Sequence, residues 1–168
     1  VDNIENNFIT LSSKIDPLDI FVKHGEVPLP KYIKRKTNAK DIERYQTVYA
    51  KHTGSVAAPT AGLHFTEKIL SKLQAKGVVI DFCTLHVTYN TFKPITADNY
   101  NDHKIGGEIC NIKESLISKI KLTKSQNHNV YAVGTTATRA LENYASKSYV
   151  GDFSGEADLF ITPGYKFK

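Results

Sequence analysis

Two kinds of apolar pattern alternate along this chain. Between Asp41 and Ala50, Ile42, Tyr45 and the pair Val48/Tyr49 recur at helical spacing, which predicts a short amphipathic helix. Thr66 is a helix N-cap residue, Glu67 sits in the first turn, and Ile69, Leu70 and Leu73 form one apolar face. Lys76 and Gly77 close that helix. It runs directly into residues 78–87, rich in β-branched and aromatic side chains, which predict a largely buried strand. One face of that strand would carry Ile80, Phe82, Thr84 and His86. Leu116, Ile117 and Ile120 predict a helix over 114–124, and Ala140, Leu141 and Tyr144 predict another over 137–145. Residues 129–133 and 158–162 read as short strands, and 88–111 as loop with short extended pieces. Helices and strands alternate over crossover-length connections, which predicts an α/β fold with a mixed, partly parallel sheet and flanking helices.

Residues 1–30 carry little periodicity and are punctuated by Pro17, Gly25, Pro28 and Pro30. They read as a connector, followed by an α/β domain over 31–168. At 168 residues, with 40% hydrophobic and 23% charged positions, the chain is long enough for one real core and is not collagen, disulfide scaffold or generic disorder. No apolar run approaches the ~20 residues of a membrane span, and Val1 to Thr10 contain no apolar signal core. Cys83 and Cys110 are too few and too distant for a disulfide framework, so a reducing cytoplasm is expected. The net charge of +5 leans mildly toward polyanionic partners. There is no Met and the first residue is Val1, which leaves a non-standard start or a portion of a longer chain as readings.

Candidate chemistry concentrates in a few places. From Val130 to Arg139 a predicted strand ends at Gly134, Thr135 and Thr136 follow, and a helix begins. Such a turn is either an ordinary capped junction or a carboxylate- or phosphate-binding site to which Arg139 adds a bidentate contact. It is not a P-loop, because the Gly-Lys-Ser/Thr ending is absent. His64, His86 and His103, with Glu108, are titratable groups suited to acid–base work near neutral pH, although each histidine alone is more often structural than catalytic. The spacing of Cys83, His86, His103 and Cys110 matches no compact zinc pattern, so no metal is predicted. No Gly-x-Ser-x-Gly elbow or Rossmann fingerprint is present. The run Lys31-Tyr32-Ile33-Lys34-Arg35-Lys36 reads either as a solvated segment or as phosphate contact with base stacking.

From Tyr45 through Gln46-Thr47-Val48-Tyr49-Ala50, and then from Gly54 to Phe65 (GSVAAPTAGLHF), the chain closely resembles the S-adenosylmethionine:tRNA ribosyltransferase-isomerases of queuosine biosynthesis. The likeness continues through Thr84-Leu85-His86-Val87, Thr91-Phe92-Lys93-Pro94, Val133-Gly134-Thr135-Thr136 with Arg139, Leu141 and Glu142, and Phe160-Ile161 with Pro163-Gly164-Tyr165. The resemblance implies part of a barrel-like catalytic region and a soluble cytoplasmic enzyme. Its implied reaction transfers the ribosyl group of S-adenosylmethionine, the cosubstrate, to 7-aminomethyl-7-deazaguanine in tRNA and isomerises it to epoxyqueuosine. His64, His86, His103 and Glu108 are then the candidate proton-transfer groups. Pro59, Thr60, Gly62, Thr84, Thr91, Phe92, Gly134, Thr135, Thr136, Arg139 and Glu142 are candidate cosubstrate contacts, and Lys31, Tyr32, Lys34, Arg35 and Lys36 candidate tRNA contacts. Residues 45–65 and 133–142 are expected to wall one pocket for a sulfonium nucleoside.

Members of that family are about twice as long as this chain. Three readings follow: a truncated remnant inactive by itself, one half of a two-chain enzyme completed by a complementary chain, or a tRNA-binding module. Two motifs also depart from the family. Thr88-Tyr89-Asn90 stands where a Gly-x-Gly is expected, and His103-Lys104-Ile105-Gly106-Gly107-Glu108 replaces a His-x-Met-His-x-Glu pattern.

Overall fold

The structure is a computed structural model that describes residues 1–5, 8–30, 32–88, 99 and 106–168. It is a mixed α/β arrangement whose core lies in the C-terminal half. Three strands form its main sheet in the order β3 (Thr84–Leu85), β4 (Glu108–Ile112), β5 (Phe153–Ala157). Leu85 lies opposite Cys110, and Cys110 opposite Gly155, both pairings antiparallel. Helix α4 (Glu114–Ser125) and helix α5 (Gly134–Ser146) supply the rest of the packing. Cys110, Ile112, Leu116, Ile117, Ala140, Tyr144 and Ala157 form one buried cluster. Tyr144, Tyr149 and Phe153 extend it, with Tyr149 stacked on Phe153 at 4.2 Å between centroids. The Tyr144 hydroxyl donates to the Gly151 carbonyl at 2.8 Å, so the buried ring keeps its polar end partnered.

The helices follow local signals. Thr66 Oγ1 accepts the Ile69 N–H at the start of α3 (Glu67–Ala75). Asn38 and Asp41 form a reciprocal capping box on α2 (Ala39–Arg44). Helix α4 has no cap from its own flank. Asp152 accepts the Glu114 N–H at 2.8 Å and the Lys113 ammonium at 2.6 Å, tying α4 to the chain entering β5.

The strands depart from expectation. Of residues 78–87 only Thr84–Leu85 pair in the sheet, and 129–133 and 158–162 form no strand. Both ladders of the main sheet are antiparallel, and no parallel pairing or closed barrel occurs among the described residues. The physical reason is that a strand is defined by its neighbour. Val79 and Tyr131 are apolar enough to extend but stand exposed beside no partner strand. Glu108–Ile112, most of which falls in the stretch read as loop with short extended pieces, pairs with Phe153–Ala157 because each offers its alternate residues to the core.

Residues 1–24, read as a connector, carry structure of their own. β1 (Asn3–Glu5) pairs antiparallel with β2 (Phe8–Thr10), with Ile4 opposite Ile9. Helix α1 (Pro17–His24) starts on Pro17, whose fixed φ suits the first helical position, and Asp16 accepts the Leu18 N–H at 2.8 Å. No residue of α1 is buried.

Candidate active-site cavity

Helix α2 ends at Arg44, earlier than its apolar spacing predicts. Residues 46–52 are thereby released from helical geometry and turn along the molecule toward β3. The Arg35 guanidinium fixes the preceding turn by gripping both carboxylate oxygens of Asp41 at 2.6 Å. That grip, with the Asn38 N–H, holds the Asp41 carboxyl down from 3.8 to about 2. Beyond the turn, Ser55 lies along the free edge of β3. Its hydroxyl accepts the Val87 N–H at 3.1 Å, and the Val56 N–H donates to the Val87 carbonyl at 2.8 Å.

These segments and the start of α5 enclose a half-open cavity of about 160 Å³. Gln46, Thr47, Tyr49, Ala50, Lys51 and His52 form one side, with Ser55, Ala57 and Pro59. Cys83, Thr84, Leu85 and Val87 come from β3 and its flanks, and Val133, Thr136 and Ala137 from the entry to α5. Residues 45–65 and 133–142 therefore share one cavity. Behind the lining, Gly62 packs against Tyr49 and Thr47 so closely that a Cβ there would overlap the Tyr49 hydroxyl and lie 2.7 Å from the Thr47 methyl. Gly134 has φ of +87°, a left-handed conformation that lets α5 begin directly beside Ala61.

The chemistry of the lining is neutral to mildly basic. No carboxylate is among its described residues, while Lys51 and His52 are. Burial raises the Tyr49 hydroxyl and the Cys83 thiol above their ordinary values, so both are protonated near neutral pH. Helix α5 opens with no side-chain cap and no acidic residue in its first turn, leaving first-turn N–H groups next to Thr136. That combination suits a carboxylate at the α5 end and a flat or apolar group along the rest.

The expected site residues fall into distinct places. Pro59, Thr84 and Thr136 line the cavity, and Gly62 and Gly134 stand directly behind its walls. Thr60 and Thr135 are exposed outside the lining. Arg139 points away from the cavity into a buried junction. Its guanidinium donates to Glu108 Oε2 at 2.9 Å, the Gly106 carbonyl at 3.0 Å and the Leu159 carbonyl at 3.0 Å. Glu108, only 4% exposed, also accepts the Thr88 N–H at 3.1 Å. Glu142 accepts the Tyr165 hydroxyl at 2.9 Å and the Lys168 N–H at 3.0 Å, which anchors the last residues on α5. His64 is exposed at the end of a 3₁₀ turn over Thr60–His64. His86 packs beside Gly54, and its buried Nδ1 has no hydrogen-bond partner among the described residues. Neither histidine is in the lining, nor is Glu108. Thr91, Phe92, His103 and Lys31 lie outside the described residues. Of the basic run, Arg35 is engaged with Asp41, while Tyr32, Lys34 and Lys36 are exposed.

Gln46, Tyr49, Lys51, His52 and Ser55 lie within the stretch expected to wall the pocket but carry no individual signal as contacts, and Cys83 lies outside both expected walls. Tyr49 was assigned to a helix face. The available signal was the polar Lys51-His52-Thr53-Gly54 that follows it, which marks extended or turning chain.

A family model described as queuosine biosynthesis protein matches residues 1–168. The chain belongs to that family. Curated relatives in this queuosine family carry the name S-adenosylmethionine:tRNA ribosyltransferase-isomerase. The protein of Francisella philomiragia is 44% identical over 159 residues, 95% of this chain and 47% of its own length. That of Rickettsia bellii is 48% identical over 157 residues, 93% of this chain and 44% of its own. That of Dichelobacter nodosus is 43% identical over 169 residues, 100% of this chain and 48% of its own. The chain thus spans about half the length of the curated relatives it matches. A crystal structure of S-adenosylmethionine tRNA ribosyltransferase from Thermotoga maritima superposes with a TM-score of 0.50 and 31% identity, covering 64% of this chain and 32% of that one. Among the described residues no helix is long and apolar enough to cross a membrane, and no cluster of His, Cys, Asp or Glu is arranged to hold a metal ion.

Proposed function

We propose that this chain supplies the cosubstrate cavity for ribosyl transfer and isomerisation from S-adenosylmethionine to 7-aminomethyl-7-deazaguanine in tRNA, the reaction that yields epoxyqueuosine. The observation that carries this reading is the shared cavity: the two stretches expected to wall one pocket, 45–65 and 133–142, meet around one space through residues of 46–59 and 133–137. The methionine carboxylate of the cosubstrate binds at the uncapped first turn of α5 beside Thr136, where N–H groups and the helix dipole favour an anion. Thr84 and Ser55 offer hydroxyls to the ribose. Arg139 and Glu108 are positioning residues, because together they tie α5 to Thr88 and Gly106, which flank the segment 89–105. Within that segment Thr91, Phe92 and His103 are proposed to complete the site, with His86 and His64 as the other proton-transfer candidates. The tRNA backbone is proposed to run past Tyr32, Lys34 and Lys36.

By themselves the 168 residues are proposed to bind cosubstrate without completing turnover. The support is the uncovered apolar surface of residues 1–22 together with a match to about half the relatives' length. The test is a ribosyl-transfer assay with labelled S-adenosylmethionine and precursor-containing tRNA. It is run on the purified chain alone and after co-expression with the remaining half of the Rickettsia bellii relative. Saturable cosubstrate binding by the chain, with label reaching tRNA only in the co-expressed sample, is expected. Absence of binding overturns the cavity assignment, and turnover by the chain alone overturns the requirement for a second half.

A further inference from the structure

The cavity holds one aromatic six-membered ring among its described lining, that of Tyr49. We propose that Tyr49 is the stacking platform for the adenine base of the cosubstrate. This rests on the cosubstrate-cavity reading and adds the residue that recognises the base.

Three observations support the assignment. First, the ring is held from more than one side. Its hydroxyl end abuts Gly62, where a Cβ would overlap it, and Phe82 lies against it at 5.0 Å between centroids, tilted by 36°. A ring fixed in this way loses little freedom when a base docks on it, which favours a stacking role. Second, part of the lining suits a flat neutral group: Ala50, Ala57, Pro59, Leu85 and Val87 are small or apolar. The cavity, about 160 Å³, is half-open, so the base occupies part of it while the ribose and methionine groups extend along its open side. Third, burial keeps the Tyr49 hydroxyl protonated, so the ring stays neutral and does not become an anionic partner for the sulfonium. The described lining contains no carboxylate to serve as an anionic partner for the sulfonium either.

The alternative role for an aromatic ring here is cation–π contact with the sulfonium. The two are separated by two probes: adenosine, which has the base and no sulfonium, and S-methylmethionine, which has the sulfonium and no base. Binding of each to the wild-type chain, Tyr49→Phe and Tyr49→Leu is measured by calorimetry. The expected result is that Tyr49→Leu weakens adenosine about tenfold or more, as loss of a stacked base implies, and Tyr49→Phe changes it by less than about threefold. S-methylmethionine is unaffected by either substitution. In the unaltered protein, NOEs between the Tyr49 ring protons and adenine H2 or H8 are expected, a readout that needs no variant to fold. Equal adenosine affinity in wild type and Tyr49→Leu, loss confined to S-methylmethionine, or bound adenosine with no NOE to Tyr49 overturns the proposal. Failure of the wild-type chain to bind either S-adenosylmethionine or adenosine overturns the underlying cavity reading instead.

Discussion

Residues 1–24 and residues 106–168 both form regular secondary structure, yet they differ in what that structure does for their apolar side chains. In the C-terminal region Cys110 and Ala140 are fully buried, and the rings of Tyr144, Tyr149 and Phe153 pack edge and face on one another. In the N-terminal region Ile4, Leu18, Phe21 and Val22 stand in solvent, Phe21 at 70% exposure and Val22 at 82%. The hairpin and α1 have their caps and ladder bonds, so local signals suffice to build them. Burial needs a second surface, which the C-terminal elements supply to one another. The cavity lies on the supplied side of this divide, walled by β3 and α5.

The contrast can be tested by substitution. The largest effect is expected at the Arg139–Glu108 pair, since Arg139→Met removes the ion pair of a carboxylate that is 4% exposed. Urea unfolding should show a loss of about 3–5 kcal/mol, much of it recovered in Arg139→Met/Glu108→Leu, where both members of this pair are gone. Next, Ile112→Ala removes a side chain that is 1% exposed at the centre of the cluster and should cost about 2–5 kcal/mol. A smaller effect separates by pH. The Asp41 carboxyl is held at about 2 against 3.8 unfolded, chiefly by the Arg35 hydrogen bonds. Its contribution is present above about pH 4 and is lost as pH falls toward 2. The stability gap between wild type and Asp41→Asn should therefore shrink across that window, whereas a constant gap would contradict the assignment. Smallest of all, Val22→Ala should lie within about 0.5 kcal/mol of wild type, because its side chain buries nothing in the isolated chain. A Val22→Ala loss comparable to that of Ile112→Ala would erase the contrast.

Helices were the legible part of this fold, because their signals are local. Thr66 caps α3 as its position suggests, and the 114–124 periodicity matches α4 to within a residue. Strands were less legible because pairing is a property of two distant segments. Glu108–Ile112 contains an inward acid and the outward, exposed Ile109, a pattern that only the Arg139 partner and the neighbouring strands rationalise. Pro17 read as punctuation, although at the first position of a helix it is an initiator. The cavity was legible as two matched stretches facing each other, since Pro59, Thr84 and Thr136 do line it. The roles of single residues were not. Arg139 has the look of an anion clamp in sequence, but three of its donors are directed to Glu108, Gly106 and Leu159. Tyr49 looked like a helix face because the apolar spacing continues past Arg44, where α2 stops, and the polar Lys51–Gly54 that marks turning chain comes only after it.

The most direct measurement is a two-dimensional amide NMR titration of the isotope-labelled chain with S-adenosylmethionine. Resonances of Gln46–Ala58 and of Val133–Ala137 should shift together and saturate with one dissociation constant, while those of α1 and of Lys34 and Lys36 stay in place. Shifts confined to one of the two walls, or none in either, would contradict a single cosubstrate cavity between them.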